Sequence, residues 1–135
     1  MKKSIINLAL KTAREKLHLH PQLEYFPHYT FIIQKNRVVD WATNLSDNPP
    51  IHYGYQHRIL DPFYKPKLHS EIAAFKKAKG ILIKNEPFEI VNIRLNKNKE
   101  LRLSKPCICC FRIMQELGCS KFYYSCNFGF LKLIV

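Results

Sequence analysis

A chain of 135 residues with 47% hydrophobic and 13% aromatic content is long enough to bury a core and too apolar to be disordered. No apolar run reaches the ~18 residues that a helical membrane span requires. Twenty-two Lys and Arg against ten Asp and Glu give a net charge of +12, which suits a polyanionic partner, nucleic acid being the usual one; a Lys- and Asn-rich proteome gives the same balance with no such partner.

The opening "MKKSIINLALK" imitates a signal peptide, but Asn7 and Lys11 interrupt its apolar part and no small-residue cleavage site follows. It reads instead as a helix of a cytoplasmic protein, in a producing or a virus-infected cell. Over residues 4–17 the apolar positions Ile6, Ala9, Leu10, Ala13 and Leu17 recur at helical spacing, with Ser4 as N-cap. Pro21 and Pro27 mark a loop. "TFIIQKNRVVDWATN" predicts a hairpin, strands 30–34 and 37–43 about a turn at Lys35-Asn36. Residues 44–68 read as a long loop punctuated by Pro49, Pro50, Pro62 and Pro66, and crowded with His52, Tyr53, Tyr55, His57, Phe63 and Tyr64.

A helix then runs from about His69 to Gly80, and a strand over 88–96 carries Val91, Ile93 and Leu95 on one face. Pro106 near N1 and Gly118 punctuate a further helix. The strands in "KFYYSC" and "FLKLIV" are joined only by "NFG", too short for a parallel crossover, so they are antiparallel neighbours. The order α-β-β-α-β-α-β-β predicts one α/β domain over 1–135, a five-stranded mixed sheet with helices on both faces.

Two helix starts carry chemistry. His69 opens one; Cys107 and Cys110, at i and i+3, share a side of the other. A helix N-terminus favours thiolate. One nitrogen and two sulfurs leave a fourth tetrahedral position open, the catalytic arrangement of zinc; a structural site closes with four ligands, which here would need Cys109, Cys119 or Cys126. Those three read better as core or buried free thiols. Glu71 is not a ligand in this reading. It stands beside a metal-activated water and moves its proton.

His69-Ser70-Glu71 followed by Pro106-Cys107-Ile108-Cys109-Cys110 resembles the H-x-E and P-C-x-x-C signature of zinc-dependent nucleobase deaminases. The resemblance spans the whole chain and implies a three-layer cytidine-deaminase-like fold, a Zn2+ cofactor, and Glu71 as proton shuttle in the conversion of cytosine to uracil. It further implies Asn44 as a sugar contact and Ser104 as the serine of an S-x-P-C pattern at the substrate. A histidine first ligand is similar to the deoxycytidylate, tRNA-adenosine and polynucleotide-editing branches, whereas antiparallel last strands are similar to free cytidine deaminases. Polymorphic-toxin deaminases and plant organellar RNA-editing domains, with their "HSE" motif, resemble this mixture.

Charge and aromatics refine the substrate. Lys65, Lys67, Arg102, Lys105 and Arg112 surround the two half-sites and suit a phosphate backbone passing the pocket, while Lys76, Lys77 and Lys79 read as a solvated helix face. Tyr53, Tyr55 and His57, with Tyr124 at a strand end, offer flat surfaces to an extruded base. Single-stranded DNA is the expected substrate, because an unpaired base is the least costly to extrude; double-stranded DNA or RNA, a free cytidine, deoxycytidine or deoxycytidine monophosphate, and a non-catalytic zinc-stapled nucleic-acid-binding module are the alternatives. A monomer with no membrane partner is expected.

Overall fold

The computed structural model describes residues 1–17, 28–43 and 69–134. Within these, α1 (Lys3–Lys16), β1 (His28–Gln34), β2 (Arg37–Thr43), α2 (Ser70–Ala78), β3 (Phe88–Leu95), β4 (Leu101–Arg102), α3 (Ile108–Glu116), β5 (Cys119–Cys126) and β6 (Gly129–Ile134) follow in chain order. Ser4, expected as N-cap, lies inside α1, whose N-cap is Lys2. The Met1 amino group reaches Tyr123 Oη at 3.5 Å and Glu89 at 3.9 Å, which brings the chain onto the sheet before Ser4.

The sheet runs β2-β1-β3-β5-β6, with β4 pairing β3 off this path. Only β3–β5 is parallel; β1–β2, β1–β3, β3–β4 and β5–β6 are antiparallel. The hairpin turn falls where expected: Lys35 and Asn36 have φ of 51° and 59°, as a two-residue primed turn requires. The two-residue β4, absent from the sequence reading, is too short to leave a periodic pattern.

Side-chain alternation divides the core in two. Tyr29, Phe31, Ile33, Val91, Ile93 and Leu95 face α1 and pack on Ala9, Ala13 and Leu17. Ile32, Ile90 and Phe122 face the other way, against Ala73, Ala74 and Ala78 of α2 and Ile113 and Met114 of α3. Both faces of the central strands are therefore covered, giving three layers. Within the second face, Thr30 of β1, Asn92 of β3 and Tyr124 of β5 form one row: Thr30 is registered with Asn92, and Asn92 with Tyr124. No helix among the described residues is long and apolar enough to cross a membrane.

Candidate metal centre

The two chemical segments meet at the starts of α2 and α3. His69 is the N-cap of α2 and Cys107 the N-cap of α3, both with extended backbone. Each therefore lies one position ahead of the first turn in which the sequence reading had placed it, and Pro106 lies one residue outside the helix. The cause at α3 is local. Cys107 takes the capping role itself, its sulfur accepting from the Cys110 backbone N–H at 3.4 Å.

His69 makes no side-chain cap bond, and its ring turns to the neighbouring helix. His69 Nδ1 is 3.2 Å from Cys110 Sγ and 3.7 Å from Cys107 Sγ. The three ligand atoms lie within 4.8 Å of one another, a group that could hold a metal ion. Among the described residues it has three members, and none of Cys109, Cys119 and Cys126 joins it. Cys109 is buried, as expected of a core residue, and Cys119 is a buried thiol, as expected, whereas Cys126 is only partly buried. Cys110 is fully buried while Cys107 is exposed, so the group opens toward solvent on the Cys107 side.

The sulfurs differ in acidity. The Cys110 thiol donates to Cys107, which, with His69 and the helix N–H, lowers the Cys107 pKa to about 3 against the opposing effect of burial. Cys110 is pushed well up by the same bond and by burial. Without a metal, the pair holds one proton between them.

Glu71, two residues beyond His69, is 4% exposed. Burial raises its carboxyl pKa, opposed by a hydrogen bond from Asn92, whose Nδ2 donates to Glu71 Oε1 at 2.7 Å. Asn92 was missed by the sequence reading, which followed the apolar face of β3; its only signal is a polar residue between the apolar Val91 and Ile93.

Neither a family model nor a curated protein matches the sequence. Among solved structures, the crystal structure of a dCMP deaminase from the cyanophage S-TIM5, in apo form, is similar with a TM-score of 0.55, covering 92% of this chain and 84% of that one at 17% identity. The chain has a deaminase-like fold. At that identity the likeness lies in the path of the backbone.

The remaining expected site residues divide. Asn44, Tyr53, Tyr55, His57, Lys65 and Lys67 lie outside the described residues. Ser104 is 1% exposed. Its hydroxyl donates to the Asn92 carbonyl at 2.9 Å and lies 2.8 Å from Ser125 Oγ, so it is a link in the protein interior. Tyr124 is buried on the same face as the His69–Cys107–Cys110 group. Lys105 and Arg112 are exposed. Arg102 is partly engaged, donating to the Leu101 carbonyl at 2.9 Å and lying 3.9 Å from Glu100. Lys77 is not simply solvated: its ammonium donates to the Trp41 carbonyl at 2.7 Å and pairs with Asp40 at 3.2 Å.

Proposed function

We propose that this chain is a zinc-dependent hydrolytic deaminase that converts cytosine to uracil within nucleic acid, with single-stranded DNA the favoured substrate. The observation that carries the reading is the meeting of His69, Cys107 and Cys110 with a buried carboxylate two residues along the same helix, on a deaminase-like fold.

The donor set suits zinc. Tetrahedral zinc, with bonds of about 2.3 Å to sulfur and about 2.0–2.1 Å to nitrogen, keeps its ligand atoms roughly 3.5–3.8 Å apart, close to the 3.2 and 3.7 Å separations from His69 Nδ1. When bound, zinc supplies a water acidified to a pKa near ~7 and a Lewis acid beside the reacting carbon. Glu71 takes a proton from that water and delivers it to ring N3. The hydroxide oxygen left by that water bonds to C4, and Glu71 then carries the remaining proton of the new C4 hydroxyl to the exocyclic amine, which departs as ammonia as the C4–N bond breaks and the C4 carbonyl forms. A carboxyl whose pKa burial has raised is suited to both taking and giving a proton.

The polymer is favoured over the monomer by charge. A free nucleotide occupies one or two cations, whereas the net charge is +12 and Lys105 and Arg112 lie exposed beside the cysteine half-site. A second reading is deamination of free deoxycytidine monophosphate, the activity in the name of the similar solved protein.

The deciding assay offers cytosine- and adenine-containing oligonucleotides, single- and double-stranded, DNA and RNA, beside deoxycytidine and its monophosphate. Uracil in single-stranded DNA is expected, reduced about 10²–10⁴-fold or more by Glu71→Ala with zinc retained. Product from the monophosphate alone moves the assignment to the second reading. No product from any substrate, or full activity in Glu71→Ala, refutes the proposed chemistry.

A further inference from the structure

Behind the metal-ligating group runs a chain of buried polar side chains that contains no ligand. Thr30 and Asn92 are wholly buried, and so is Ser125; Ser70 and Ser104 are each 1% exposed. Polar groups at that depth are unfavourable unless each is hydrogen-bonded, and here they bond to one another. Asn92 is the centre. Its Oδ1 accepts from Thr30 Oγ1 at 2.6 Å, while its Nδ2 donates to Glu71 Oε1 at 2.7 Å and to the Ser104 carbonyl at 3.3 Å.

That pattern admits one orientation of the amide. Turned over, it would set a carbonyl oxygen against the Ser104 carbonyl, which cannot donate. Thr30 Oγ1 also points its single hydroxyl proton toward Ser70 Oγ, 2.7 Å away, and so shares it between Asn92 and Ser70. The donors then run from Thr30 to Asn92 to Glu71. Bonds aligned in this way polarise one another.

We propose that Asn92 is the positioning residue for Glu71, its amide locked by Thr30 so that Oε1 is held and the carboxyl keeps one orientation for proton transfer. The inference rests on the deaminase reading for its catalytic meaning and on geometry for the contact itself. It ties the acid–base group to the middle of the sheet.

The test compares wild type, Asn92→Ala, Thr30→Val and Thr30→Ser in the zinc-loaded protein, by kcat, KM, zinc per chain and crystal structures. For Asn92→Ala we expect kcat to fall about 10–100-fold, the loss typical of a residue that orients a site group, with KM and zinc content unchanged and the Glu71 carboxylate displaced or spread over several orientations. Thr30→Val should lower kcat about 2–10-fold, the scale of one hydrogen bond, and Thr30→Ser should restore it. Wild-type kcat in Asn92→Ala, or a carboxylate unmoved in its crystal structure, overturns the proposal. If Asn92→Ala does not fold, wild-type kcat in Thr30→Val overturns it instead. Should wild type prove inert on every substrate, the deaminase reading fails, and the position of Glu71 in the Thr30→Val and Asn92→Ala structures alone decides whether the contact orients it.

Discussion

At the scale of single residues, the centre is built from two helix N-caps and the residues that follow them. The N-cap position leaves the His69 side chain outside the α2 ladder and free to reach α3. Cys107 is the most reactive thiol this geometry creates, because a donated hydrogen bond from Cys110 holds it at a pKa of about 3 and the residue is exposed. In metal-free protein its alkylation by iodoacetamide should be nearly independent of pH from about 5 to 9, since the thiolate is already formed throughout that range. An ordinary thiol of pKa ~8.5 gains about tenfold per unit below its pKa. Zinc should protect Cys107, and Cys119, pushed up to about 12 by burial, should stay unmodified. Mass spectrometry of the labelled peptides checks all three, and a tenfold rise per pH unit at Cys107 would contradict the assignment.

At the scale of elements, α2 and α3 present their starts to each other, and a metal held between them joins two segments far apart in sequence. Cys107→Ala should therefore abolish zinc binding and lower stability by several kcal/mol, because binding energy at such a site is folding energy. Metal analysis and thermal melting test this; an unchanged melt would show that the ion contributes nothing to the fold. The β1–β2 hairpin offers an independent measurement. Asn36 sits at φ 59°, a region that short polar side chains tolerate and β-branched ones do not. Asn36→Val should cost about 1–2 kcal/mol in urea unfolding, while Asn36→Gly should fold at least as stably as wild type. Equal midpoints for the two variants would mean that the turn is not of the primed type.

For the whole molecule, the consequence of the net charge of +12 is salt dependence. If Lys65, Lys67, Arg102, Lys105 and Arg112 each neutralise one phosphate of a single strand, the logarithm of affinity should fall against that of salt concentration with a slope of about −3.5, at about 0.7 per contact. Lys105→Ala and Arg112→Ala should each flatten the slope by about 0.7. Arg102, already beside Glu100, should change it least. Fluorescence anisotropy with a labelled oligonucleotide from about 0.05 to 0.3 M salt measures this, and a slope near zero would remove the polyanion from the proposal.

What the sequence by itself determined is what short-range patterns encode. Helical spacing, period-two alternation, helix-ending glycines and a two-residue turn place eight of the elements within a few residues, and the H-x-E and P-C-x-x-C spacings single out His69, Glu71, Cys107 and Cys110 as candidates. Only the tertiary structure decided that the histidine and the cysteines meet within 4.8 Å, that Cys107 and not a proline-started turn begins α3, and that Ser104 points into a buried network. Asn92 is the clearest case. Along the chain it is a polar residue between Val91 and Ile93, and alternation assigns it merely to the opposite face of its strand. Its chemistry depends on Thr30 and Glu71, 62 and 21 residues away. No local preference records contacts that exist only once strands are registered and both faces of the sheet are covered.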